Sequence, residues 1–156
     1  FQQSSLEGYK ELHQLIGSGA NWEATRRRLL SHLTKDRDSY LLINIYLSED
    51  LIDEALAVLA RSTNMGWGSG VDMRVAKAAE KQRPQAAIDL YAKKVEQLIR
   101  NGGRGSYQEA CGYLKDVRRL RRQAGEDAEW KRYIANLREA NPRLRALREE
   151  LDKAGL

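Results

Sequence analysis

Apolar residues recur every three to four positions along this chain, and no segment alternates apolar and polar residues over the length of a strand. That spacing is the imprint of amphipathic helices, which bury one stripe and solvate the rest. It is clearest between Pro84 and Leu120, where P-Q-A-A-I-D-L-Y opens one helix and S-Y-Q-E-A-C-G-Y-L lies in the next, with N-G-G-R-G between them. Pro84 suits a first turn, where its missing N–H leaves no hydrogen bond unmade. Ala87, Ile88, Tyr91, Val95, Leu98 and Ile99 then share one face. Ser106 and Glu109 form a capping box for the second helix, and Gly125 ends it. The alanines let two helices approach closely, and the aromatics three or four residues away fill the space beside the contact.

The same logic extends to both ends. S-S-L-E places a helix start at Ser4, with Glu7 completing a capping box and Gly17 closing the helix. Asn21 is expected to cap a second helix containing Trp22, Leu29, Leu30 and Leu33. L-L-I-N-I-Y-L at 41–47 is apolar enough for a buried strand, yet no other segment offers a strand partner, so it reads as a helix buried on two sides. A helix over Leu51–Arg61 contains D-E-A-L-A-V-L, which echoes Q-E-A-C-G-Y-L at 108–114, although the separation matches no single standard repeat length. Ser62 to Gly70 reads as a loop with Trp67 tucked into the core. Its glycines lack the G-K-[ST] ending and preceding strand of a phosphate loop. A shorter helix near Val71–Lys81 follows. Near the end, Trp130, Tyr133, Ile134 and Leu137 form a core-facing stripe expected to pack on Ala110, Tyr113, Val117 and Leu120. A seam continuing to Leu151 would suit one long helix, but Pro142 costs ~3 kcal/mol or more in a helix interior. The expectation is a break or sharp kink at Asn141-Pro142, with Asn141 as the new cap.

The predicted fold is all-α: antiparallel helix pairs, about eight or nine helices in all, stacked as a right-handed tetratricopeptide-like solenoid. Residues 1–156 are expected to form a single helical-repeat domain, a size that buries roughly 70% of the unfolded surface without disulfides or metal. One cysteine, Cys111, excludes an internal disulfide and fits a reducing, cytoplasmic setting. No apolar run reaches the ~18 residues of a membrane span. The chain opens on Phe1 rather than Met, which suggests a piece of a longer protein.

Charge singles out one surface. Residues 1–99 hold 13 Lys+Arg and 13 Asp+Glu, whereas 100–156 hold 14 and 9 and so carry the whole net +5. Lys115, Arg118, Arg119 and Arg122 recur at helical spacing within one stripe. They form the candidate face for a protein partner or for nucleic-acid phosphates. The plainer reading, which the sequence favours, is a solvated helix face whose late arginines complement the macrodipole. No aromatics alternate with them, so a platform for base stacking is missing. Arg121 points toward the apolar side and calls for an acidic partner. His13, His32 and Cys111 have no zinc-ligand spacing. No G-x-S-x-G or pocket-flanked carboxylate pair announces catalysis, and the expectation is a non-enzyme without catalytic residues, metal, cofactor or small-molecule substrate.

Several segments taken in order resemble the C-terminal helical region of bacterial SWIM zinc-finger proteins. They are S-L-E-G-Y-K-E-L at 5–12 followed by Trp22, L-S-E-D-L-I-D-E-A-L at 47–56, P-Q-A-A-I-D-L-Y at 84–91 and S-Y-Q-E-A-C-G-Y-L at 106–114, then A-E-W-K-R-Y-I-A-N-L-R at 128–138 and E-L-D-K-A-G-L at 150–156. In that family a C-x-C…C-x-H motif N-terminal to the helices holds zinc. The motif is missing here, so no zinc ligand carries over, and an upstream zinc domain would account for the Phe1 start. The resemblance implies a tetratricopeptide-like scaffold mediating protein–protein contact, associated with Swi/Snf-type helicase-like ATPases or DNA. Asn141-Pro142 departs from the uninterrupted charged helix expected there.

Overall fold

A computed structural model describes residues 5–62 and 70–156. Among the described residues there are nine α-helices and no strand. They are α1 (Leu6–Ile16), α2 (Ala20–Lys35), α3 (Ser39–Ser48), α4 (Ile52–Arg61), α5 (Val71–Ala79), α6 (Pro84–Asn101), α7 (Arg104–Gln123), α8 (Asp127–Ala140) and α9 (Arg145–Lys153). The architecture is all-α. Ser4 and the loop around Trp67 lie outside the described residues. Contacts divide the chain into two compact units, Phe1–Ala78 and Ala79–Leu156.

In the first unit α3 is the centre, packing on α1, α2 and α4. The apolar run is helical, and Leu41, Leu42, Ile43 and Ile45 are all buried, Ile43 and Ile45 completely. Asp38 starts this helix by accepting the Leu41 N–H through Oδ1 at 3.1 Å. The α1 cap is Ser5, not Ser4, since the Ser5 hydroxyl accepts the Gly8 N–H at 3.1 Å. Gly17 does close α1. Asn21 is not a cap: α2 begins at Ala20 with Gly19 before it, which places Asn21 in the first turn.

In the second unit α7 is the centre, contacting α6, α8 and α9. All six predicted α6 positions, Ala87 through Ile99, are buried. α6 and α7 form the tightest pair, joined through Gly102 and Gly103 at φ 74° and 87°. Both angles lie in the left-handed region that only glycine enters freely, and so short a connection makes the helices antiparallel. The α7 cap is Gly103, and Ser106 falls inside the first turn rather than starting the helix. Burial on α7 is wider than one stripe: Tyr107, Cys111 and Leu114 are covered along with Ala110, Val117 and Leu120. Gly125 terminates α7 at φ 75°, with its N–H donating to Arg122 O and that of Glu126 to Arg121 O, the two bonds of a Schellman motif. α8 packs on α7 as expected, with Trp130 and Leu137 buried and Tyr133 and Ile134 half-buried.

The helix does break at Asn141-Pro142. Asn141, however, closes α8 instead of opening α9: its Nδ2 donates to Leu137 O at 2.9 Å, and Leu144 precedes α9. Pro142 cannot continue the ladder, so the Asn141 side chain satisfies a carbonyl the break leaves open.

Candidate functional site

The four candidate cations do emerge along one side of α7, but most are already engaged within the second unit. Arg119 Nη2 donates to Glu80 Oε1 at 3.0 Å and to Asp116 Oδ1 at 2.9 Å. Arg118 Nη1 donates to Gly155 O at 2.9 Å, just past the end of α9, where a cation meets the negative end of the helix dipole. Arg122 Nε reaches Asp127 Oδ1 at 3.3 Å, in the first turn of α8. Lys131 and then Arg122 hold the Asp127 carboxyl below its ordinary value. Lys115 stands exposed. Arg121 meets the acidic partner it called for, Glu126, and also contacts Gln85 at 3.3 Å. The stripe stitches α7 to the turn before α6, to α8 and to α9.

Two polar clusters of matching chemistry went unseen in the sequence. In the first unit the Tyr9 hydroxyl donates to Glu49 Oε1, and Arg26 binds the same carboxylate through Nε at 3.2 Å and Nη2 at 2.5 Å. Tyr9 is on α1, Arg26 on α2, and Glu49 caps the C-terminus of α3. Tyr9 also meets the Trp22 ring edge-on at 5.3 Å, and His13 stacks on that ring at 4.3 Å. In the second unit the Tyr91 hydroxyl donates to Glu80 Oε1 at 2.7 Å, the atom that also accepts from Arg119. Each cluster is a tyrosine, a glutamate and an arginine from three separate elements.

The electrostatics of both clusters favour fixed protons. Burial, then the hydrogen bond to Glu49, pushes the Tyr9 hydroxyl well above the usual tyrosine range; burial and Glu80 do the same to Tyr91. Burial pushes the Glu49 carboxyl up, but the hydrogen bonds from Arg26 and Tyr9 outweigh it and hold the group below its ordinary value. Arg119 is held above its ordinary value by hydrogen bonds to Asp116 and Glu80. Groups arranged this way keep helices together and exchange no proton near neutral pH. Burial also pushes the Cys111 thiol up, away from the reactive thiolate. Among the described residues no three His, Cys, Asp or Glu side chains converge as a metal set. No described helix is long and apolar enough to cross a membrane.

Only Asp116, three residues before Arg119 on the same helix, was available to sequence reasoning as a partner. Glu80 lies 39 positions from Arg119, and Glu49 lies 23 from Arg26 and 40 from Tyr9, so only the fold reveals them.

Comparison with known proteins adds one likeness. The chain is 40% identical to the uncharacterized protein YwqB of Bacillus subtilis (strain 168) over 86 residues, which are 55% of this chain and 16% of that protein. No family model matches the chain. No solved structure matches it either.

Proposed function

We propose that this chain is a non-catalytic helical-repeat scaffold that mediates protein–protein interaction within a SWIM-type zinc-finger protein, working in the cytoplasm beside a Swi/Snf-type helicase-like ATPase. The helix pairs are of the tetratricopeptide-like kind, stacked with a right-handed turn. One observation carries the reading: both polar clusters spend their acids and cations on joining helices, which is what a rigid surface needs. Likeness to a part of a longer protein supports a modular role. The alternative, phosphate binding through Lys115, Arg118, Arg119 and Arg122, gains little from the geometry, because three of the four are already committed.

Exposed apolar side chains supply a surface for the partner. Leu15 is 85% exposed in the last turn of α1, and Ile16 beside it is 36% exposed. The test mixes the purified chain with the helicase-like ATPase of the same cell and follows complex formation by size exclusion. A complex is expected, weakened at least tenfold by Leu15→Glu with Ile16→Glu. No complex at tens of micromolar, with the helical spectrum intact, would overturn the proposal.

A further inference from the structure

We infer that the solvent face of α2 is a contact surface for the phosphate backbone of duplex nucleic acid. The helix carries the run Arg26-Arg27-Arg28, and the fold separates its members. Glu49 holds Arg26 on the inner side with two hydrogen bonds. At 100° per residue, Arg27 and Arg28 then turn outward, onto the side where Ala24, Ser31 and Lys35 also emerge. All five are exposed, while Trp22 and Leu33 are buried on the opposite side. Arg37 follows just past the helix end, exposed, with φ 57°. That angle belongs to the turn that ends α2, in which the Arg37 N–H donates to Thr34 O and the Asp38 N–H to Leu33 O, and it leaves the Arg37 side chain in solvent. Among the described residues the ion pairs made from α2 use Arg26 and His32, the latter with Asp36 at 3.0 Å, and leave Arg27, Arg28 and Lys35 facing water.

The chemistry of the face selects the partner. Protein interfaces are built around an apolar or aromatic core depleted in charge, and nothing large and apolar stands among these cations. A phosphate backbone needs no such core, only cations at intervals along it. Arg28 and Lys35 are seven residues apart, or ~10 Å along the axis, a separation that lets each meet a different phosphate of a duplex. None of Ala24, Arg27, Arg28, Ser31 and Lys35 carries a ring on which to stack a base, so binding should be indifferent to sequence and stronger on duplex than on single strands.

The experiment measures binding of the whole chain to a fluorescent DNA duplex of arbitrary sequence as salt is raised. Four phosphate contacts predict a slope of log K against log salt of about −3.6, or about a hundredfold loss between 50 and 200 mM. The triple variant Arg27→Gln, Arg28→Gln, Lys35→Gln should reduce the slope to about −1. A control of comparable charge loss, Lys93→Gln with Arg132→Gln and Arg143→Gln, should leave the slope within about half a unit of the parent, since none of the three contacts phosphate. All six substitutions are at exposed positions, and a thermal melt checks that each variant is folded. Four outcomes overturn the inference: no binding at 50 mM salt, an unchanged slope in the triple variant, equal loss in the control, or equally tight binding to polyglutamate.

Discussion

Tyr9 and Tyr91 each donate a hydroxyl to a glutamate that an arginine also binds, and their titration gives the clusters a measurable signature. Both hydroxyls are raised in the folded state, so their stabilisation is complete below the unfolded value of about 10 and is lost as pH climbs toward the folded value. Each should therefore add a destabilising slope of up to about 1.4 kcal/mol per pH unit above about pH 10. Urea melts at pH 9 and 11 test this by difference: Tyr9→Phe should lose less stability between the two than the parent does, and lysine titration cancels in the comparison. Equal losses would mean that the hydroxyl titrates freely. Arg119 carries a second expectation at this scale. Its position on the basic stripe suggests a solvated side chain whose loss changes little, yet it is half-buried against Glu80, whose side chain is 11% exposed. Arg119→Ala removes a hydrogen-bond donor from that carboxylate and from Asp116 and should cost about 1–2 kcal/mol. Lys115→Ala, exposed on the same helix, should stay within about 0.5 kcal/mol. Equal effects in thermal melts would show that the Glu80 pair contributes nothing.

Helices are where the sequence was most legible, because the forces that select them are local. The α6 face was readable residue by residue, as was the break at Pro142, which is imposed by a covalent ring. Helix ends were harder, since neighbouring serines, asparagines and glycines compete to cap and a shift of one or two residues costs little. Ser5 wins over Ser4, Gly19 precedes α2 in place of Asn21, and Gly103 displaces Ser106. The second buried side of α7 was missed for another reason: Cys111 and Leu114 find cover only once another element arrives, and α9 is a contact partner of α7 that a single-stripe reading had not supplied. The candidate site was legible as a stripe but not as a set of ion pairs, for which the partners come from distant segments. Nothing in the run Arg26–Arg28 itself separates its members, and only Glu49, from 23 positions away, distinguishes the first. The α8 stripe carries the prediction at this scale. Trp130 is 5% exposed, so Trp130→Ala should leave a cavity and cost about 3–5 kcal/mol in a denaturant melt. A cost under about 1 kcal/mol would mean that the indole is not part of the core and is available as a binding anchor.

For the whole molecule, the open quantity is cooperativity. One helical-repeat domain over all 156 residues should unfold as a unit or spread damage gradually from repeat to repeat, because stability in a stacked array passes through nearest-neighbour interfaces. Two compact units, each with its own buried centre at Ile43 and Ile45 or at Leu114 and Val117, predict a sharper division. A domain of this size has only about 5–15 kcal/mol of stability, so the loss expected for Trp130→Ala is a large fraction of what one unit can hold. Hydrogen exchange on that variant should show protection falling through residues 79–156, in α6, α7 and α9 as well as α8, while α3 keeps the protection it has in the parent. The converse substitution, Ile43→Ala, removes a completely buried side chain and should release α1, α2 and α4 with α3 while leaving α7 protected. If either substitution lowered protection equally in both halves, the chain would be a single cooperative domain.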